Sequence, residues 1–353
     1  MGLETRGVSA LVLEARDRLG GRALSVPVPG GVLDLGPSWV WPQYQPRVSK
    51  IIRESSLTPL AQYEDGALRY ENPEGDVRSI EYPSRYGDAV RLAQGLGSIA
   101  SHLESQLERS EIRLNTTVSN VTTNESSVAV EIGAVGSEAG ETIHADALIV
   151  ATPPALAAKW SAFASERELQ NGLLCWPTWM AAHAKFAAVY ERPFWRESGF
   201  SGSAISHRGP LMEVVDISDP SQELFALFGF FALDAHERQS MEPAELKRLA
   251  LDQLGVLFGS GALSPVRTHL QDWSQERYTA AESDLKAPSG HPPYGEPALQ
   301  KLWSSDRIAF ASAEAAQEHG GLVEGALLAG EVAAQRLLEA GDLVGLSGLN
   351  AVS

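Results

Sequence analysis

The sequence predicts an α/β fold: a doubly wound parallel sheet that lacks its first strand and Gly-rich turn, joined to an α+β second domain. Three observations predict it. An apolar run, Ala10 to Leu13, reads as a buried strand that ends in Glu14 and is followed by Gly20-Gly21-Arg22. A second run, Asp146 to Ala151, is apolar enough to be buried on both faces. It stops at Thr152-Pro153-Pro154, where a strand cannot continue. A third, Arg307 to Ala311, precedes a helical stretch, Leu322 to Ala340, packed with small residues that let it lie close on a sheet.

The first of these suits a dinucleotide. A carboxylate at a strand end accepts from ribose hydroxyls, while glycines and an arginine meet phosphates. The Gly-x-Gly-x-x-Gly turn expected about 20 residues before such a carboxylate has no room, because thirteen residues precede Glu14. The pattern is that of a dinucleotide-binding fold entered one strand and one turn late.

Length and composition set the frame. A chain of 353 residues suggests two domains sharing a cleft. Its make-up, 44% hydrophobic and 21% charged, is globular. A net charge of −17 repels phosphate backbones, which argues against nucleic acid and anionic membrane partners. The same field favours a cationic substrate, although it serves solubility equally well. The single cysteine, Cys175, excludes an intrachain disulfide and reads as an inert buried thiol; with no metal-ligand spacing among the histidines, no metal is expected. No apolar run approaches a membrane span, and the first residues do not form a signal peptide. Arg6 spoils the myristoylation pattern after Gly2. Three glycosylation-like triplets, at Asn115, Asn120 and Asn124, read as turn chemistry. A cytoplasmic location is the expectation.

Further along, Ser25 to Val28 and Val32 to Leu35 read as short strands, and Pro46 to Ser55 as a helix. Leu92 to Glu108 carries apolar residues at helical spacing. Strands follow at 112–114, 118–121, 128–132 and, after a Gly-rich turn, 142–150. The middle of the chain holds most of the tryptophans and phenylalanines, read mostly as core. Met180 to Tyr190 and Glu223 to Phe231 read as strands, Pro243 to Phe258 as a helix with proline in its first turn, and Lys286 to Pro297 as loop.

Four segments, Val12 to Arg22, Asp34 to Trp39, Ala147 to Pro154 and Arg307 to Leu338, together with Leu96 to Val121 and Ala181 to Trp195, resemble the flavin-containing, monoamine oxidase-like amine oxidases in order and spacing. The resemblance covers nearly the whole chain and marks it as an N-terminally shortened member. It implies the glutathione-reductase-like FAD fold, with a discontinuous FAD domain over 1–57, 94–158 and 300–342 and a substrate domain over 58–93 and 159–299. It implies oxidation of a carbon–nitrogen bond by hydride transfer to the flavin, with oxygen as the electron acceptor.

Residue by residue, the resemblance puts Glu14 on the adenosine ribose, with Ala15 and Arg16 beside it. Gly20 and Gly21 allow backbone approach, and Arg22 meets the pyrophosphate. Gly36, Ser38 and Trp39 fall beside the flavin, Val118 and Pro153 border the adenine, and Trp273 forms a cofactor wall. Glu314 accepts from the sugar-like chain, while Gly321 and Leu322 sit at the flavin edge. Lys185 corresponds to the family's lysine that holds a water at the reactive flavin nitrogen; on pattern alone it reads equally as an edge-strand lysine. His183, on the same strand face, reads as a polar core neighbour.

The chain also departs from the family. Pro37 stands where a second glycine is usual, and Ser312-Ala313 replaces Gly-Thr before Glu314. The two rings that normally face the substrate amine correspond to Ser283 and Leu322, which form no cage. The covalent cysteinyl position falls near Glu282, so FAD is expected to be non-covalent. Two other readings follow: a diverged member with weak FAD binding and no turnover, acting as a scaffold, and a flavin oxidase of an apolar non-amine substrate. The sequence does not give the oligomeric state.

Overall fold

The protein is described by a computed structural model covering residues 2–81, 84–124, 126–133, 140–286, 290–293 and 295–340. The first part of the chain runs through β1 (Leu11–Leu13), β2 (Ser25–Val28), β3 (Gly31–Asp34), α1 (Pro46–Glu54), β4 (Pro59–Ala61), β5 (Ala67–Glu71), β6 (Val77–Ile80), β7 (Val90–Leu92) and α2 (Ser98–Glu104). Next come β8 (Glu111–Arg113), β9 (Val118–Thr123), β10 (Val128–Ile132), β11 (Glu141–Ala145), β12 (Leu148–Val150), α3 (Pro154–Ala157) and α4 (Arg167–Cys175). The remainder holds β13 (Ala184–Tyr190), α5 (Phe194–Glu197), β14 (Phe200–Ser206), β15 (Leu211–Asp216), β16 (Phe225–Phe231), α6 (Ala235–Gln239), α7 (Pro243–Phe258), β17 (Arg267–Asp272), β18 (Ile308–Phe310) and α8 (Val323–Ala340).

The three predicted strands pair in parallel, in two pieces. β1 lies beside β8, and β12 beside β18. Both pieces feed one core: Leu13 and Val118 pack against Val150, Ile308, Phe310, Phe163 and Leu173. The antiparallel meander β9–β10–β11 closes the same core through Val121, Val128 and Val130. Small residues do on α8 what the sequence suggests, since Ala333 seats the helix against Ala309 and Ala311.

A second sheet has seven strands in the order β17-β13-β16-β15-β14-β5-β6. It is antiparallel except where β5 runs parallel to β14. β13 lies between β16 and β17 and every residue in it is buried. The strand's period of two divides it cleanly. Ala184, Phe186 and Ala188 face α7, packing with Leu246, Ala250, Leu254 and Leu257. Ala187 and Val189 face the other way, onto Leu33, Leu35 and Phe228. Lys185 shares this second face, so the sheet itself aims its side chain toward the end of β3.

Several expectations are corrected. The helix read over 92–108 shrinks to α2, because Leu92 belongs to β7 and Gly95 adopts φ +73° ahead of the first helical residue. The strand read over 142–150 bends between β11 and β12. The strand from Met180 begins at Ala184, after a turn in which Met180 takes φ 64°. Cys175 ends α4 exposed, because Leu169 and Leu173 take that helix's buried face. Of the tryptophans, Trp160, Trp195 and Trp273 are buried and the others are half-buried. Asn120 lies inside β9, where its side chain accepts from the Ser161 N–H at 2.8 Å. Parts of the Lys286–Pro297 loop and of the Gly-rich turn before β11, and the end of the segment 300–342, lie outside the described residues. Among the described residues no helix is long and apolar enough to cross a membrane.

Candidate cofactor and active site

The site is built where the end of β1, the turn after β3, the strand β13 and the segment before α8 converge. Glu14 extends the β1–β8 ladder through its N–H to the Arg113 carbonyl, at 3.0 Å. Its carboxylate accepts from the Arg16 backbone N–H at 2.8 Å. The Arg16 guanidinium reaches across to the later half of the chain, donating to Glu276 and to Thr279 Oγ1, both at 2.9 Å. Arg18 braces the next turn by donating to the carbonyls of Leu19 and Gly21. Gly20 and Gly21 adopt φ +92° and +55°, which glycine adopts without strain. The space a Cβ on Gly21 would enter is open to 4 Å.

Arg22 follows and grips Glu314 with two parallel hydrogen bonds of 2.7 and 2.8 Å. Glu314 is 3% exposed, so the guanidinium is what makes burial of its charge tolerable. Arg22 also donates to the Trp179 carbonyl at 3.3 Å. Gly36 packs tightly on this turn: a Cβ there would come within 2.0 Å of the Arg22 carbonyl oxygen.

The Lys185 ammonium donates to the Gly36 carbonyl and lies over the rings of Phe228 and Phe230, at 5.7 and 5.2 Å. This is an interior strand, not an edge. Burial pulls the Lys185 pKa down to about 8, and the nearby Asp34 charge opposes that fall. Burial likewise pushes Asp34 up to about 7. His183, next on the same face, is lowered by burial and by the positive charges of Lys185 and Arg238. Its Nδ1 has no hydrogen-bond partner among the described residues.

Around this core stand aromatic rings. Trp39 stacks on Tyr86 at 5.0 Å and meets Phe228 edge-on at 5.9 Å. Its Nε1 donates to Gln62, which also takes Arg91. Trp273 is buried and donates to the Leu35 carbonyl at 3.0 Å, fixing the end of β3. Gly321 takes φ +73° with Trp179 tight against it, and Trp179 in turn packs on His291 at 4.2 Å.

Arg22, Gly36, Lys185 and Glu314 are therefore joined contact by contact, while Glu14 contacts Arg16 and β8 instead. Other predicted positions sit apart in role. Val118 packs in the core, Pro153 is the buried residue that opens α3, and Ala15 is half-buried beside Glu14. Ser283 is exposed on a short turn and Leu322 is half-buried ahead of α8. Sequence reading missed Asp34, Gln62, Arg91, Trp179 and Glu276. Asp34 did carry a signal: it is the one acid in the apolar stretch from Val32 to Leu35.

With that geometry in view, comparison with known proteins is decisive. A family model described as flavin containing amine oxidoreductase matches residues 2–83 and 74–338. The chain belongs to that family. It is 30% identical over 207 residues to the pig protein named amine oxidase [flavin-containing] B, covering 57% of this chain and 39% of that one. It is 29% identical over 274 residues to a putative flavin-containing monoamine oxidase of Mycobacterium tuberculosis, covering 76% and 56%. It is 32% identical over 209 residues to putrescine oxidase from Kocuria rosea, covering 58% and 42%. The chain thus spans between 39 and 56% of the length of these relatives. Among solved structures, cyclohexylamine oxidase from Brevibacterium oxydans superposes with a TM-score of 0.79 at 18% identity, covering 96% of this chain and 95% of that one. A putrescine oxidase double mutant gives 0.77 at 20% identity, with the same coverages. At such identities the likeness is one of fold.

FAD is the cofactor this family implies, and the residues present fit its polar groups. Ser38, Thr152 and Ser312 carry buried hydroxyls with no hydrogen-bond partner among the described residues. Buried hydroxyls are rarely left so, and a polar ligand would supply what they lack. All three lie on segments the resemblance assigns to the cofactor's surroundings. Among the described residues no group of three or more His, Cys, Asp or Glu side chains is placed to hold a metal ion.

Proposed function

We propose that this protein is an FAD-dependent oxidoreductase that oxidises a carbon–nitrogen bond of a small amine, with oxygen as electron acceptor. The observation that carries the reading is the buried Lys185 ammonium, fixed on the Gly36 carbonyl between the turn at 36–39 and the rings of Phe228 and Phe230. Glu14 would hold the ribose, and the Gly20–Arg22 turn the pyrophosphate. Ser38, Ser312 and Glu314 would take the polar groups of the flavin and its side chain. Bound there non-covalently, FAD supplies the hydride acceptor.

The chain's own residues do the rest. Lys185 places a positive charge, and a proton at Nζ, in a region where low dielectric magnifies both. Trp39, Tyr86 and Phe228 pack on one another and keep water from that side of the turn at 36–39. The acidic surface draws cations toward the molecule. The single cysteine, exposed at the end of α4, suits a reducing compartment.

The test is direct. The purified chain should be yellow, with one flavin per chain, and amines but not polyenes should bleach it without oxygen. Lys185→Met should slow reoxidation by about 10²-fold. A chain that stays colourless after FAD is added would instead support the scaffold reading. That reading has its own observation: Arg22 and Glu314 already satisfy each other, and Trp179 crowds Gly321.

A further inference from the structure

The Glu14 side chain is 20% exposed, so a ligand can reach it. One carboxylate oxygen, Oε1, accepts from the Arg16 N–H, and the other accepts from no described residue. Among the described residues Arg16 is also the one cation in ion-pair range of that carboxylate, and its Nη1 stops 3.9 Å from Oε1. The next two arginines are engaged elsewhere, Arg18 on the carbonyls of Leu19 and Gly21, and Arg22 on Glu314. What keeps the Arg16 guanidinium from closing further lies 260 residues on. Glu276 Oε2 accepts from Nε at 2.9 Å and pairs with Nη2 at 2.8 Å. Thr279 Oγ1 accepts from Nη2 at 2.9 Å, and the centre of the Tyr278 ring lies 5.5 Å from the guanidinium carbon. This socket is braced in its own right. The Glu276 carbonyl accepts from the Thr279 and Ala280 N–H groups at 2.8 and 2.9 Å, and the Tyr278 hydroxyl meets Thr117 Oγ1 at 3.0 Å.

Resting on the reading that Glu14 takes the adenosine ribose, we propose that Glu276 is a positioning residue: it holds the Arg16 guanidinium off Glu14 and keeps that carboxylate open to the ribose diol. A guanidinium and a carboxylate prefer to meet through two parallel hydrogen bonds. Arg16 and Glu14 are two residues apart on one turn and already near enough to do so. Their closure would occupy both carboxylate oxygens. A ribose hydroxyl is a neutral donor and competes poorly with a charged one. Glu276 removes that competition by offering the same cation a second carboxylate, and Thr279 and the Tyr278 ring fix it there. Arg16 is then a competitor kept at a distance rather than a cofactor ligand. A Glu276 that only braced the 276–279 turn would behave differently, since removing Arg16 as well could not repair its loss.

The experiment measures FAD binding to the full chain by calorimetry. Glu276→Gln should weaken it about 10-fold. Arg16→Met should leave it at the wild-type level. The double variant Arg16→Met/Glu276→Gln should restore it, because the competing cation is gone. A double variant as weak as Glu276→Gln, or a loss of affinity in Arg16→Met alone, overturns the proposal. The second of these outcomes stays readable even if Glu276→Gln does not fold. Another arm needs no cofactor. Urea midpoints of the chain without FAD give the coupling between Glu14→Gln and Arg16→Met, which should be larger in the Glu276→Gln background than in wild type. Equal couplings overturn the proposal. A wild-type chain that binds no FAD sinks the flavin reading, while this cycle still shows whether Glu276 holds Arg16 off Glu14.

Discussion

Arg22 and Glu314 lie 292 residues apart in sequence and meet through two hydrogen bonds, of 2.7 and 2.8 Å. The pair ties the turn after β1 to the segment after β18, so both ends of the described chain close on one point. A bidentate guanidinium–carboxylate contact fixes angle as well as distance. Because Glu314 is almost fully buried and Arg22 only partly so, the two partners are not equivalent.

Removing the cation should therefore cost more than neutralising the anion. Arg22→Ala strands a buried carboxylate and should destabilise the chain by about 3–5 kcal/mol at pH 7. Glu314→Gln leaves a half-exposed guanidinium that water can reach, and should cost about 1–3 kcal/mol. Urea midpoints of the two variants measure the order.

Glu14 separates binding from folding. Its carboxylate is partly open and takes one backbone N–H, from Arg16. Glu14→Gln should shift the urea midpoint by less than about 1 kcal/mol of stability, while weakening FAD binding by about 10-fold or more. Equal losses in both measurements would place Glu14 in the scaffold instead.

Much of this arrangement was legible because its signals are local. The strand ending at Glu14, the stop at Pro153-Pro154 and the small-residue face of α8 each follow from a short pattern and each stands where expected, although β1 is not the buried strand its apolar run suggests: Val12 is exposed and its neighbours are half-buried. What escaped notice depends on packing between distant segments. Asp34 reads as a strand-end acid until Ser25, Leu96 and Lys185 gather round it. Leu92 to Glu108 carries a genuine helical period, yet Leu92 pairs with β4 and Gly95 takes a left-handed φ, so the helix starts later. Lys185 read equally as an edge residue, since one strand's sequence does not reveal that β16 and β17 flank it.

The glycines give a graded test of that close packing. Gly36→Ala drives a Cβ to 2.0 Å from the Arg22 carbonyl oxygen, where backbone must move. It should cost about 3 kcal/mol or more and disturb the Arg22–Glu314 contact as well. Gly21→Ala meets open space and carries only its left-handed φ of +55°, so its cost should stay near 1 kcal/mol. Thermal midpoints of the two single variants would show the contrast, and a reversed order would remove the close approach at Gly36 from the account.

The compartment around Lys185 should write itself into the pH dependence of stability. Lys185 titrates near 8 in the fold, against 10.5 for an unhindered lysine. Between those values the unfolded chain holds the proton and the folded chain has released it, so stability rises with pH across that window. Below it the full cost of burying an ammonium is present. Asp34 behaves oppositely: it titrates near 7 folded against 3.8 free, so its contribution is complete below about pH 3.8 and is lost as pH rises to 7. Lys185→Met should remove the upper slope and Asp34→Asn the lower one, each measured by urea unfolding at half-unit pH steps. Because the charges support each other, the double variant should differ from the sum of the singles most at pH 7 to 8, where both are ionised. Strict additivity in that interval would mean that the two groups do not sense each other.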